Sequence, residues 1–139
     1  MILVDTGPVV AALNRRDPDH LRCRKLLDDG AGQLLVTPYV VAEVCWMAAS
    51  RLGARAEANV IDAVAAGDFR QVAVEDADLA RISELLHQYA DLHGGDGLSV
   101  ADASVVAAAE RLNISDIATL DITDFSIVRP RHIDHFTLL

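Results

Sequence analysis

The sequence has few aromatic residues, only two cysteines and no long apolar run. Aromatic residues make up 4% of the 139 residues although 52% are hydrophobic, so we expect one ordered domain over residues 1–139 with an aliphatic core. No run approaches the roughly 20 apolar residues that span a bilayer, and the N-terminus lacks the basic start of a signal peptide. Cys23 and Cys45 do not form a Cys-x-x-Cys motif, which favours buried free thiols and a cytoplasmic location.

Basic residues are also scarce. The chain carries 21 acidic and 12 basic residues, for a net charge of −9. This balance argues against a broad basic face of the kind that binds nucleic acid through its phosphates. The acidic residues are either spread over a solvated surface, or some of them converge and require cations.

Short apolar segments alternate with helical patterns along the chain. The predicted strands are Ile2–Val4, Leu34–Val36, Phe69–Val74, Ile117–Leu120 and, as a fifth, Phe136–Leu139. The predicted helices are Pro8–Leu13, Asp17 to Gly30, Thr37–Leu52, Arg55–Ala66, Asp76–Leu92 and Ser99–Leu112. Because the strands show no period-two alternation, the pattern predicts an α/β fold with a central parallel sheet of four to five strands and helices on both faces. Ligands of such sheets bind beyond the carboxyl ends of the strands.

Four acidic residues stand where charge is unexpected. Asp5 and Asp121 directly follow predicted strands, Glu43 is the only charge in YVVAEVCWMAA, and Asp102 lies near the start of an apolar helix. Each has an ordinary alternative: a turn or cap at Asp5, a turn at Asp121, an exposed helix edge at Glu43 and a capping box at Asp102. Thr6 can itself cap the first helix, which leaves Asp5 without that role. All four acids can face one cleft.

Carboxylates that converge must either take up protons or bind cations. Oxygen ligands without nearby His or Cys select Mg²⁺, with Mn²⁺ as a substitute. Such an ion lowers the pKa of a bound water and stabilises in-line attack at phosphorus. The four acids therefore predict a metal site suited to phosphoryl chemistry.

Four segments, in order and spacing, resemble the motifs of PIN-domain proteins, and most closely those of VapC-type toxin ribonucleases of bacterial toxin–antitoxin pairs. They are ILVDTG, PYVVAEV, VADASVVAAAERL and IATLDITDF. The resemblance implies a PIN-like three-layer sandwich and a metal-dependent endoribonuclease. The family's catalytic and metal-binding acids fall on Asp5, Glu43, Asp102 and Asp121. Thr6 falls where relatives carry a hydroxyl that helps to orient the first acid, and Asp124 is the candidate for a fifth, supporting acid.

The resemblance also implies partners: an RNA substrate, a cognate antitoxin and a second copy in a homodimer. We expect Asp5, Asp102 and Asp121 to make most of the metal contact, and Glu43 to ligate directly or through water and to polarise the attacking water. The Ala- and Val-rich helices suggest an apolar groove that captures a helix of the antitoxin. The loop His93–Gly97 is longer than the family pattern, which leaves the role of Asp91 open.

Two basic groups are hypothetical RNA-binding patches, with solvated faces as the alternative. They are Arg15, Arg16, Arg22, Arg24 and Lys25 in the first group, and Arg129, Arg131 and His132 in the second. The five histidines lie outside the four motifs, which argues against a metal-free ribonuclease mechanism based on histidine.

Three other functions compete with a metal-dependent nuclease. The Asp-Thr-Gly at residues 5–7 also occurs in aspartic proteases, but these are nearly all-β, and the long helical patterns speak against them. A haloacid-dehalogenase phosphatase needs Asp-x-Asp after the first strand, and position 7 is Gly. The remaining alternative is a catalytically weak PIN-fold module that binds protein or RNA, which a broken acid set would favour. All four positions are acidic here, which favours the enzyme.

Overall fold

The computed structural model describes residues 1–139 and contains five strands and seven α-helices. The strands are β1 (Ile2–Val4), β2 (Leu34–Val36), β3 (Arg70–Gln71), β4 (Asp116–Ala118) and β5 (Thr137–Leu138). The helices are α1 (Thr6–Leu13), α2 (His20–Asp29), α3 (Pro38–Leu52), α4 (Ala54–Ala66), α5 (Asp76–Gln88), α6 (Val100–Leu112) and α7 (Ile122–Ile127), with a 3₁₀ turn at Leu92–Gly94. None of the helices combines the length and the apolar character needed to cross a membrane.

The five strands form one parallel sheet in the order β3-β2-β1-β4-β5. Leu3 in β1 lies opposite Leu35 in β2 on one side and Ile117 in β4 on the other. Successive residues of a strand point to opposite faces, and both Leu3 and Val4 are fully buried. Helices therefore cover both faces of the sheet, which confirms the predicted α/β sandwich.

The order of the strands reverses at β1. The chain adds β2 and β3 on one side of β1 and then returns to add β4 and β5 on the other. The carboxyl ends of β1 and β4 are consequently neighbours, and the Asp5 N–H donates to the Ala118 carbonyl at 2.9 Å. This is the position where open α/β sheets bind their ligands.

The core is aliphatic, as the composition predicts. In α6 the small Ala and Val side chains allow burial on almost every side, from Ala103 through Ala109. The core contains an edge-to-face pair of phenylalanine rings, Phe125 and Phe136, whose ring centroids lie 6.2 Å apart. Cys23 and Cys45 are buried free thiols, in agreement with the prediction.

The start of the second helix differs from the prediction. This helix begins at His20 and not at Asp17-Pro18, because the Asp17 carboxylate accepts the Asp19 N–H at 2.8 Å and so holds a turn before the helix. The cap-plus-proline signature at Thr37-Pro38 does open α3, where the Thr37 hydroxyl accepts the Val40 N–H. The same sequence signal thus marks a turn in one place and a helix start in the other.

Other elements are shorter than predicted, including β5, which is Thr137–Leu138 and not Phe136–Leu139. The third strand is reduced to Arg70–Gln71, at the edge of the sheet. The helix α5 ends at Gln88, ahead of a loop with left-handed backbone at His93, Gly94, Gly95 and Gly97. The strand β4 ends at Ala118, so two residues separate it from Asp121.

Candidate active site

Four acidic side chains line one open cleft of about 540 Å³ at the carboxyl ends of β1 and β4. They are the predicted Asp5, Glu43, Asp102 and Asp121. Asp5 follows β1, Glu43 lies in α3, Asp102 lies in the first turn of α6 and Asp121 is the N-cap of α7. Helix and strand ends that are far apart in the chain therefore place the four carboxylates together.

Asp5 is the most deeply buried of the four acids, with 4% of its surface exposed. The Thr119 hydroxyl donates to Asp5 Oδ2 at 2.8 Å, whereas Asp5 Oδ1 is buried without a hydrogen-bond partner. Burial, and then the charge of Asp102, raises the pKa of Asp5 from 3.8 to about 7. A buried carboxylate oxygen without a donor is costly unless a proton or a cation satisfies it.

Thr6 forms a hydrogen bond with Glu43 and not with Asp5, the acid that its position in the motif suggests. Its hydroxyl donates to Glu43 Oε2 at 2.5 Å, which ties the start of α1 to α3. Thr6 is the first residue within α1 rather than its cap, and Asp5 occupies the N-cap position without accepting a capping hydrogen bond. The hydroxyl that orients Asp5 comes from Thr119, at the other end of the chain.

Asp102 is held by the predicted capping box. The Ser99 hydroxyl donates to Asp102 Oδ2 at 2.7 Å and accepts the Asp102 N–H at 3.1 Å. Burial raises the pKa of Asp102 to about 6, with smaller contributions from the charges of Asp121 and Glu43 and against the lowering effect of the Ser99 hydrogen bonds. The capping role and a role in the cleft are therefore compatible in one residue.

Asp124 lies behind the cleft and supports Asp121. The Asp124 N–H donates to Asp121 Oδ1 at 3.0 Å, as expected for an N-cap at the start of α7. The Asp124 side chain is buried and contacts His93 Nε2 through Oδ1 at 2.6 Å. This contact raises the pKa of His93 and joins the His93–Gly97 loop to α7.

The four carboxylates share one pattern of hydrogen bonding. Each has one oxygen that accepts a protein donor and one that accepts none; the free oxygens are Asp5 Oδ1, Glu43 Oε1, Asp102 Oδ1 and Asp121 Oδ2. No group of three or more His, Cys, Asp or Glu side chains is arranged to hold a metal ion. Mg²⁺ does not require such a group, because it commonly keeps several waters and binds through one or two carboxylates. The free, hard oxygens and the unpartnered Asp5 Oδ1 fit such an ion.

Gly7 allows the start of α1 to lie close to Leu120 in the cleft. A Cβ at position 7 would lie 3.2 Å from the Cβ of Leu120, in the segment that joins β4 to Asp121. A side chain there would press the start of α1 away from this segment. The Asp-Thr-Gly motif thus supplies an acid, a hydroxyl donor and a close backbone approach.

Three of the five basic residues in the first hypothetical RNA-binding patch are paired with acidic residues in or next to α2. Arg22, Arg24 and Lys25 each form an ion pair with an acidic residue three or four positions away in the chain, at 3.5, 3.8 and 2.6 Å. Arg131 of the second group pairs with Glu84 at 2.5 Å. These pairs reduce the positive charge that the two hypothetical patches offer to RNA.

The sequence does not single out two contributors to the site. Thr119 lies within the IATLDITDF segment, where the sequence predicts only a strand residue, yet its hydroxyl donates to Asp5 and accepts the Asp121 N–H at 2.9 Å. His93 lies in a loop outside the four motifs and reaches Asp124 across the fold. Two features of the sequence could have pointed to these residues: Thr119 lies two residues before Asp121, and glycines follow His93.

Comparisons with known proteins agree with this architecture. Residues 2–129 match the family model of the PIN domain. The chain is 32% identical over 138 residues to Ribonuclease VapC26 of Mycobacterium tuberculosis, and the match covers 99% of each chain. The fold is similar to the crystal structure of M. tuberculosis VapC20, a Sarcin-Ricin loop cleaving toxin, with a TM-score of 0.73 and 20% identity over 84% of this chain and 87% of that one. It is also similar to a toxin-antitoxin complex from Klebsiella pneumoniae, with a TM-score of 0.67 and 20% identity over 96% and 100% of the two chains.

Proposed function

Because the chain belongs to the PIN-domain family and is of the VapC type, we propose that it is an endoribonuclease that acts as the toxin of a toxin–antitoxin pair. The observation that carries this proposal is the set of four carboxylates in one cleft, each anchored through one oxygen and free at the other. A binding module has no need for acids held in this way.

The proposed cofactor is Mg²⁺, and we expect Mn²⁺ to substitute for it. Asp5, Asp102 and Asp121 would hold the ion, one or two of them directly and the rest through its bound waters, and Glu43 would ligate it directly or through water. When bound, a divalent ion neutralises the clustered charge and makes a coordinated water more acidic. The unpartnered Asp5 Oδ1 supports this choice, since a cation satisfies it without a protein donor.

The side chains of the cleft have separable tasks in hydrolysis. Thr119 and Ser99 fix the orientations of Asp5 and Asp102, so that neither carboxylate must reorganise when the phosphate arrives. Glu43 is fixed by Thr6 through Oε2, which leaves Oε1 available to accept a proton from the attacking water. Asp124 keeps Asp121 at the mouth of the cleft through the first turn of α7.

An apolar groove supports the proposed antitoxin partner. It runs between α1, α3 and α4 and is lined almost entirely by aliphatic side chains, including Val9, Leu13, Val41, Val60 and Val64. Apolar side chains that project from a helix of the partner would enter such a groove. The homodimer and the cytoplasmic location stay predictions, the latter supported by the two free buried thiols.

The decisive experiment is RNA cleavage by the purified chain with Mg²⁺ or Mn²⁺ and with EDTA. We expect cleavage only with the divalent ion, and a loss of at least about 100-fold in rate, or about 3 kcal/mol, for Asp102→Asn. Asp62→Asn, which changes an exposed carboxylate of α4 outside the cleft, is the matched control. Cleavage that survives chelation would defeat the metal assignment. Sequencing the 5′ ends of RNAs cut in cells would identify the substrate.

A further inference from the structure

The single tryptophan of the chain lies exposed beside the acidic cleft. Trp46 has 70% of its surface exposed, whereas most of the other large apolar side chains of α3 are buried or half-buried. In the sequence it follows Glu43 by three positions and directly precedes Met47, and both of these residues line the cleft. Residues three apart on a helix have Cβ atoms about 5–6 Å apart, so the Trp46 side chain begins beside that of Glu43, at the rim of the cleft.

Small neighbours leave the indole uncovered. The exposed residues one turn before and after Trp46 are Ala42 and Ser50. The Ser50 hydroxyl is occupied by the Trp46 carbonyl, to which it donates at 2.8 Å. The aromatic faces therefore remain accessible to a flat partner from solution.

The cleft itself offers RNA little attraction. Its lining includes four acids and neither lysine nor arginine, and the chain as a whole carries a net charge of −9. Phosphate pairing with basic side chains, the usual source of affinity, is therefore weak here. Stacking on an aromatic ring does not depend on that charge, because every nucleobase has a π-face.

We propose that Trp46 is a substrate-binding residue that stacks on a base of the RNA next to the phosphate to be cut. This inference rests on the proposed ribonuclease function and deepens it, since it selects unpaired RNA whose bases are free to leave their own stack. Trp46 then supplies affinity and register, while the carboxylates carry the chemistry.

Intrinsic fluorescence tests the contact directly, because Trp46 is the only indole. The Asp102→Asn variant, which is expected to bind without cutting, is titrated with a pool of short single-stranded RNAs of random sequence carrying a dye that reports binding by anisotropy. A base-free ribose-phosphate oligomer is the control. We expect the indole emission to be quenched in parallel with RNA binding and to be unchanged by the base-free oligomer.

Unchanged emission on saturation with bound RNA would overturn the inference. An emission change that follows protein concentration without RNA would also overturn it, since Trp46 would then lie in a contact between two copies of the chain.

Cleavage kinetics provide an independent readout. For wild-type protein acting on an RNA that it cuts, Trp46→Ala should lower kcat/KM by about 5- to 150-fold, the equivalent of ~1–3 kcal/mol at 1.4 kcal/mol per tenfold. The loss should appear in KM, with kcat nearly unchanged. Trp46→Phe should retain most of the activity, and Leu21→Ala, at another exposed apolar residue, should retain all of it. Equal KM values for wild type and Trp46→Ala would refute the stacking role, whereas a chain that cuts no RNA would refute the proposed function itself.

Discussion

Neutralising Asp5 should stabilise the metal-free protein at neutral and alkaline pH. The pKa of Asp5 rises from 3.8 to about 7 in the fold, so the folded state holds this proton more tightly than the unfolded chain does. The stability linked to this proton is complete below about pH 4 and is lost as pH rises through about 7. Asn does not titrate, so Asp5→Asn should not lose this stability as the pH rises.

The expected size of the effect follows from the two pKa values. At 1.36 kcal/mol per unit, the raised pKa of Asp5 costs the fold about 2 kcal/mol at about pH 5.5, where the folded carboxyl is still protonated but the unfolded one is ionised, and about 4 kcal/mol at about pH 8, where both are ionised. The stability of Asp5→Asn relative to wild type should therefore improve by about 2 kcal/mol across this interval. In a chain of this size, that is a relative shift in Tm of roughly 6–8 °C.

The assay is thermal or urea unfolding in EDTA at both pH values, with Asp62→Asn as the control for loss of an exposed charge. Millimolar Mg²⁺ should then stabilise wild type at the higher pH and leave Asp5→Asn nearly unchanged, because a ligand that binds only the folded state raises its stability. The reasoning would be refuted if the difference in unfolding free energy between wild type and Asp5→Asn were the same at both pH values. Equal stabilisation of both proteins by Mg²⁺ would also refute it.

Two further substitutions test a hydrogen bond within the site and a buried ion pair elsewhere in the fold. Thr119→Val removes the hydroxyl that orients the Asp5 carboxylate. It should lower the free energy of unfolding by about 1–3 kcal/mol and the rate of RNA cleavage at least about tenfold. Thr137→Val, at an exposed hydroxyl in β5, should leave the rate unchanged, and a full rate in Thr119→Val would contradict the assignment. Arg81 donates two hydrogen bonds of 2.9 Å to Glu110, and each of the two side chains is only about a tenth exposed. Arg81→Met leaves the Glu110 carboxylate without these bonds and should lower the free energy of unfolding, measured in urea, by about 3–5 kcal/mol. Arg24→Met breaks an exposed pair and should cost less than about 1 kcal/mol; equal losses would show that burial does not set the value.

The sequence was most informative where structure depends on near neighbours. The apolar segments Ile2–Val4 and Leu34–Val36 were predicted with their observed bounds, because a strand buried on both faces needs an uninterrupted apolar run. The capping box of Ser99 and Asp102 and the cap at Thr37 form within four residues and were also predictable. The start of α2 was not, since the Asp17 carboxylate completes a turn that competes with the helix.

The four acids of the cleft were identified because their surroundings in the sequence are apolar or end a strand. Their identity, order and approximate position follow from local patterns and from the resemblance to PIN-domain proteins. The approach of Asp5 and Asp121 also follows once the sheet is recognised as parallel, because the carboxyl ends of its strands share one edge. Glu43 and Asp102 lie on helices, and the packing of α3 and α6 brings them to the same cleft.

Only the tertiary structure decided how those acids are held. Thr119 reaches Asp5 across 114 positions of the chain, Thr6 reaches Glu43 across 37, and His93 reaches Asp124 across 31. No local pattern specifies such contacts, because a hydroxyl or imidazole pairs with whichever acceptor the packed sheet and helices bring within about 3 Å. The residue types determined which chemistry is possible, and the packing determined which oxygen of each carboxylate is left free to perform it.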